Sequence, residues 1–283
     1  VSFHRKPITF VNHVKIQVQN LERSLHFYQE VIGLKVLKKT TNIAKLTADG
    51  ENCILSLEGQ ENASPKQRGT TGLYHFALLV PRRSDLSNIV RHFRTKGIQM
   101  GSSDHLVSEA LYLNDPEGNG IEVYVDRNPS EWKWKNGEVA MTVDPLDFSD
   151  LLRTGNPEES WKGLPPGTIM GHIHLHVSQL EEAEEFYTRG LGFEVVNRFG
   201  DQAIFISAGD YHHHIGLNTW AGIGAPAPPI NSVGLKSFTV VLPDEEYRKN
   251  VVTRLEMMGA TVTKENGVFM TADPSGNGIH LAV

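Results

Sequence analysis

Apolar and polar residues alternate along this chain in short blocks, and the blocks recur. In "HVKIQVQNLERSLHFYQEVIGLKV" (13–36) and "HIHLHVSQLEEAEEFYTRGLGFEV" (172–195) a period-two opening predicts a half-buried strand. An amphipathic stretch ending in Phe-Tyr follows, with Gly33 or Gly192 near the helix end. The two segments align without a gap. A second pair exists: "GLYHFALLVP" (72–81) matches "GLKSFTVVLP" (234–243), and "NDPEGNGIEVYV" (114–125) matches "ADPSGNGIHLAV" (272–283). Helical patterns lie between them at 83–98 and 244–260, and the Asp-Pro-x-Gly-Asn-Gly turn feeds a terminal strand. The pattern predicts an α+β fold of four βαβββ modules, starting near 12, 72, 170 and 234. Residues 1–126 hold modules one and two, and 170–283 hold modules three and four. The segment 127–169 is rich in Pro, Gly and charge and carries Trp132, Trp134 and Trp161; it predicts a crossover linker with one short helix near 146–154. "TWAGIGAPAPPINS" (219–232) predicts a loop between modules three and four.

Alternation also assigns faces. His172, His174 and His176 share one face of their strand, opposite Ile173, Leu175 and Val177. His75 goes with Ala77 and Leu79, and Glu122 and Tyr124 oppose Ile121, Val123 and Val125. A charged Glu122 buried without a partner would cost several kcal/mol, and a metal ion would supply the partner. At the corresponding positions module four has Ser237 and His280, while modules one and three open on His13 and His172. Only module two offers both an imidazole and a carboxylate. Two histidines and one carboxylate form a facial triad suited to Fe(II), with Mn(II) an equal fit, and three positions left open. The repeat alone leaves His13 and His172 as equal candidates for the third ligand.

Composition changes this picture little. The chain has 283 residues, 39% hydrophobic and 21% charged, an ordinary globular balance for one large or two medium domains. A net charge of −6 provides no basic field for nucleic acid or anionic lipid. The single cysteine, Cys53, excludes an internal disulfide framework and fits a reducing compartment. No apolar run reaches membrane-spanning length, and "VSFHRKPITF" has no signal-like apolar core. The expectation is a soluble cytoplasmic protein without nucleic-acid or membrane partners. Oligomeric state is left open, a homo-oligomer included.

With "DPEGNGIEVY" and "LERSLHFYQEVIGLKV" as signatures, the four modules resemble the vicinal oxygen chelate superfamily, which includes glyoxalase I, fosfomycin-resistance enzymes and extradiol ring-cleaving dioxygenases. The resemblance covers nearly all of the chain outside the linker. It implies modules paired into two cup-shaped half-barrels, with a metal at the bottom of one cup. "FISAGDYHHHIGL" (205–217) is similar to an extradiol dioxygenase pattern. In that pattern a Phe lines the oxygen pocket eight residues before the second His of a His-His pair, and that His is the catalytic acid/base. Carried over, these are Phe205 and His213, with Gly216 as the small residue beside the oxygen position. Module one has only "CILSL" at the matching strand, so the resemblance selects His172 to join His75 and Glu122. "DHLVSEALYLNDPEGNGIE" (104–122) supplies a substrate-contacting His105 and a catechol-bonding Tyr112, although the interval between them is shorter than the family's. Strict alternation would turn His213 away from its site unless a bulge or loop start re-aims it, so His212 stands as its substitute. His174 is expected to line the cup.

The resemblance implies an extradiol dioxygenase of the catechol 2,3 type, acting on small aromatic diols with O₂ in aromatic hydrocarbon catabolism. Two alternatives stand beside it. One is a glyoxalase-like metal-dependent isomerase or thiol transferase, which would carry a Glu where Gly216 stands. The other is a metal-free ligand-binding member. In familiar two-domain extradiol enzymes modules three and four form the active cup. Here module four lacks both ligands, so modules two and three are expected to pair, and one with four.

Overall fold

The computed structural model describes residues 2–283. Module one runs β1 (Phe10–Val18), α1 (Leu21–Phe27), β2 (Lys35–Lys39), β3 (Ile43–Thr47) and β4 (Leu55–Gly59). Module two repeats the order with β5 (Gly72–Leu79), α2 (Arg83–Thr95), β6 (Gly101–Asp104), β7 (Ser108–Asn114) and β8 (Gly120–Asp126). The connecting segment forms a small hairpin, β9 (Trp134–Lys135) and β10 (Glu138–Val139), and a short helix α3 (Phe148–Arg153). Module three is β11 (Ile169–His176), α4 (Leu180–Glu185), β12 (Glu194–Phe199), β13 (Ala203–Ser207) and β14 (Ile215–Asn218). Module four is β15 (Gly234–Val241), α5 (Glu245–Met257), β16 (Thr263–Glu265), β17 (Val268–Ala272) and β18 (Gly278–Ala282).

The strands assemble into two eight-stranded sheets, each curled as a half-barrel. One has the order β12-β13-β14-β11-β5-β8-β7-β6, the other β16-β17-β18-β15-β1-β4-β3-β2. Each is therefore a pair of modules joined by their first strands running antiparallel: β5 with β11, and β1 with β15. Module two pairs with three, and one with four. Parallel pairing of the first and last strand inside each module, as in β5 with β8, brings the residues of both onto one cup floor.

A single large core takes the inward residues of both sheets and of the helices, among them Ile16, Phe76, Phe93, Ile173, Phe238 and Leu255. Burial of such side chains, at about 25 cal/mol per Å² of apolar surface, is what holds the two cups back to back. The repeated Phe-Tyr motif adds a polar strut to that core. Tyr28 Oη donates to Asp115 Oδ2 at 2.9 Å, and Tyr187 Oη donates to Asp273 Oδ2 at 3.0 Å. Each tyrosine lies in the α1 or α4 region of one module, and each aspartate opens the Asp-Pro-x-Gly-Asn-Gly turn of the next. The strut thus ties one sheet to the other. Both helices end in one turn of π-helix, Tyr28–Ile32 and Phe186–Gly190. Gly33 follows at φ +89°, where a Cβ would also meet Trp161 at 2.6 Å, so no larger residue fits this exit.

Candidate active site

The floor of the cup formed by modules two and three is set by strand register. His172 on β11 lies opposite Ala77 on β5, and Ala77 is in turn paired with Glu122 on β8. His75 stands two residues before Ala77 and so shares its face. The three side chains meet. His172 Nε2 donates to Glu122 Oε2 at 3.0 Å, and His75 Nε2 lies 3.0 Å from the same oxygen. Despite that distance, His75 Nε2 is a buried nitrogen without a hydrogen bond, because its angle to the carboxylate is wrong for one. Glu122 is 2% exposed and His172 1%. Burial pushes the Glu122 carboxyl up, but the two imidazoles outweigh it and hold it well below the usual range. Burial pushes His172 down, toward the neutral ring.

Donor atoms of His75, Glu122 and His172 all lie within 4.8 Å of one another, the one such group of three among the described residues. Two neutral nitrogens and one anionic oxygen aimed at a common point, one of the nitrogens without a hydrogen-bond partner, fit a divalent first-row metal. His13, the rival ligand, is in the other cup, with Nε2 2.8 Å from Ser56 Oγ.

Above this floor is a cavity of about 360 Å³. His75, Glu122, Tyr112, His105, His174, Phe205 and His213 contribute to its wall, and Met141, Thr142 and Val143 of the connecting segment close one side. The other expected residues fall as follows. Tyr112 on β7 pairs with Glu122 across the ladder. His105 Nδ1 donates to the Thr142 carbonyl at 2.6 Å, which leaves Nε2 as an acceptor for the Tyr112 hydroxyl, also at 2.6 Å. Burial pushes the Tyr112 hydroxyl well above its ordinary pKa, with Glu122 adding to the effect. His174 takes a hydrogen bond from Asn218 Nδ2 at 2.9 Å and sits 5.5 Å from the Phe205 ring.

The three consecutive histidines do three different things. They precede β14, in irregular backbone, so strand alternation does not govern them. His213 turns into the cavity wall, 5.0 Å from the Phe205 ring and 4.1 Å from that of His172. His212 turns the other way, fully buried, with Nε2 2.8 Å from Asp126 Oδ1. His214 donates from Nε2 to the Phe3 carbonyl at 3.0 Å and pins the N-terminal segment. His212 is therefore no substitute for His213 at the cavity. Gly216 does not itself line the cavity. It lies under the His174 ring, where a Cβ would come within 2.8 Å of Cγ and Cδ2.

Sequence reasoning missed Asp126 and the connecting-segment wall. Asp126 had a signal, since alternation along "GIEVYVD" places it on the face of Glu122 and Tyr124. Met141, Thr142 and Val143 had none, because no periodicity locates a loop. Of the linker tryptophans, Trp132 stacks on Phe3 and stands 5.2 Å from His212, behind the site. Trp161 instead stacks on His92 of α2 at 4.1 Å, away from either cup floor.

The family model of the Glyoxalase/Bleomycin resistance protein/Dioxygenase superfamily matches residues 10–123 and 169–281, the two halves of the repeat. The chain belongs to this superfamily. Within the superfamily, it is 47% identical over 269 residues, 94% of each chain, to the catechol-2,3-dioxygenase of Bacillus subtilis (strain 168). It is 28% identical over 158 residues to biphenyl-2,3-diol 1,2-dioxygenase 3 of Rhodococcus globerulus, covering 52% of this chain and 83% of that one. Among solved structures, glyoxalase I from Zea mays superposes with a TM-score of 0.61 at 16% identity, covering 96% of this chain and 92% of that one, a likeness of fold. No helix among the described residues is long and apolar enough to cross a membrane.

Proposed function

We propose that this protein is an extradiol dioxygenase that opens a catechol-type ring with O₂, with a divalent metal held by His75, Glu122 and His172. The observation that carries the reading is the convergence of those three donors, two of which, His75 and Glu122, line a cavity that His213, Tyr112 and Phe205 also line. The identity to a catechol-2,3-dioxygenase over nearly the whole chain supports it. When bound, a metal of this site would lower the pKa of a catechol hydroxyl and hold diol and O₂ on one template; the donor set suits Fe(II) and Mn(II) alike. The remaining work belongs to the chain. His213 accepts a hydroxyl proton from the diol and returns it to the product. The Tyr112 hydroxyl, its proton committed to His105, presents lone pairs to the cavity and orients a substrate hydroxyl. Phe205 supplies an apolar wall that keeps water from the reacting oxygens. Both atoms of O₂ end in the product, a muconic semialdehyde, so no external reductant is required.

The wall also bears on the ring. Among the described residues it holds no lysine or arginine, while Val107, Met141, Val143, Phe199 and Trp220 contribute to it. A carboxylate-bearing ring would be desolvated there without a cation, at a cost of several kcal/mol. Uncharged catechols, including those with apolar substituents, fit the wall. The test is anaerobic purification, metal analysis, then addition of catechol and air. Yellow semialdehyde should appear with catechol and alkylcatechols, and at most weakly with protocatechuate. Metal-dependent turnover of a hemithioacetal without O₂, and none of catechol, would move the assignment to the glyoxalase-like reading.

A further inference from the structure

His213 needs a bare, basic nitrogen to take a proton, and its environment sets which nitrogen that is. His212 Nδ1 lies 2.8 Å from His213 Nδ1, and His212 Nε2 lies 2.8 Å from Asp126 Oδ1. The same aspartate oxygen accepts from Tyr211 Oη at 3.3 Å, and Tyr211 Oη in turn lies 2.7 Å from Tyr124 Oη. Two donors aimed at one oxygen make Asp126 an acceptor, so the proton of His212 resides on Nε2. The other nitrogen of neutral His212 is then bare. Two bare nitrogens at 2.8 Å would repel, so His213 carries its proton on Nδ1 and donates. The nitrogen left over is His213 Nε2, which makes no hydrogen bond, on a ring that lines the cavity.

We propose that Asp126, acting through His212, is the positioning device for His213: the chain of carboxylate and two imidazoles imposes the Nε2-bare tautomer and holds the ring against the cavity. The inference rests on the dioxygenase reading, in which His213 moves the substrate proton. When Nε2 takes that proton, the O–H bond of the diol breaks and an N–H bond forms. The resulting imidazolium still donates from Nδ1 to His212, and the Asp126 carboxylate one ring away supplies the opposing charge. The proton leaves Nε2 again when the ring-opened product is protonated, so the chain ends as it began. The logic is that of a carboxylate orienting a catalytic imidazole, extended by one ring.

The test is Asp126→Asn, which preserves shape but presents an amide NH₂ that can donate to His212 and reverse the chain. ¹⁵N NMR of histidine-labelled protein without added metal reads which nitrogen of residue 213 is protonated, with His213→Asn used to assign the resonance. Wild-type protein should show the proton on Nδ1, and Asp126→Asn should move it to Nε2. In the iron-reconstituted enzyme kcat for catechol should fall about 100-fold, with KM within about threefold, since the position of the proton on the ring and not the shape of the binding wall is changed. His212→Asn, whose amide oxygen can stand where Nδ1 stands, should retain activity that His212→Leu loses. A proton on Nε2 of His213 in the wild-type protein overturns the proposal, as does an Asp126→Asn enzyme with unchanged kcat. Wild-type enzyme that opens no ring would instead remove the dioxygenase reading and the chain's catalytic role, while the resonances would still decide the positioning.

Discussion

The two cups are built alike and differ in the side chains of their floors. In one, the row across three paired strands reads His172, Ala77, Glu122; in the other it reads His13, Thr239, His280. Two residues earlier on the central strand, His75 is matched by Ser237. The first cup therefore holds a buried anion between two imidazoles. The same row of the second holds two imidazoles and no carboxylate. There His13 is pushed down to about 4, by burial first and then by His280, Lys45 and Lys15. The backbone that makes a cup floor is thus indifferent to metal. What distinguishes the two is the donor set: the first floor has His75 and the Glu122 carboxylate where the second has Ser237 and His280, and a buried negative charge helps to offset the desolvation of a dication.

The comparison can be broken most sharply at its ligands. Glu122→Gln and His172→Ala should each strip the metal and lower turnover by on the order of 1,000-fold or more, some 4 kcal/mol of barrier. His13→Ala should retain metal and turnover. Metal content by mass spectrometry beside catechol turnover checks both, and loss on His13→Ala with survival of His172→Ala would exchange the roles of the cups. A constructive version is Ser237→His combined with His280→Glu, which rebuilds the triad around His13. Bound metal per chain should rise, held back by the repulsion of Lys15 and Lys45, while activity at the first cup persists. No added metal would mean that more than donor identity separates the cups.

A smaller effect is expected at Gly216. Its replacement by Ala forces the His174 ring aside, and such overpacking costs about 1–3 kcal/mol. Turnover should drop by about tenfold and the unfolding midpoint should fall, both against an unchanged metal content. The smallest effect concerns pH. His13 titrates near 4 in the native state against 6.5 in the unfolded chain. Between those values the unfolded chain takes up a proton that the folded one refuses, so this contribution to stability is present above 6.5 and disappears as pH falls to 4. Thermal unfolding at pH 7.5 and 4.5 should show a smaller acid loss for His13→Asn than for wild type. An identical loss in both would place the acid sensitivity elsewhere.

Sequence by itself determined the elements, the fourfold repeat and the strongest pair, His75 with Glu122. These are local properties: alternation, helical periodicity and the Asp-Pro-x-Gly-Asn-Gly turn are each legible within a dozen or so residues. Asp126 was missed, although alternation along its strand would have set it on the face of Glu122; nothing local gives it a partner. Tertiary structure alone decided the rest. His13 and His172 are equivalent in the repeat, and only the pairing of β5 with β11 brings His172 to Glu122. His212, His213 and His214 are chemically identical neighbours, yet irregular backbone before β14 points them at Asp126, the cavity and Phe3. The wall from Met141 to Val143 and the tautomer of His213 likewise depend on contacts between segments far apart in the chain. The physical reason is the same throughout: periodicity fixes which way a residue faces within its own strand, whereas what it meets there is set by strand register and loop closure across the whole fold.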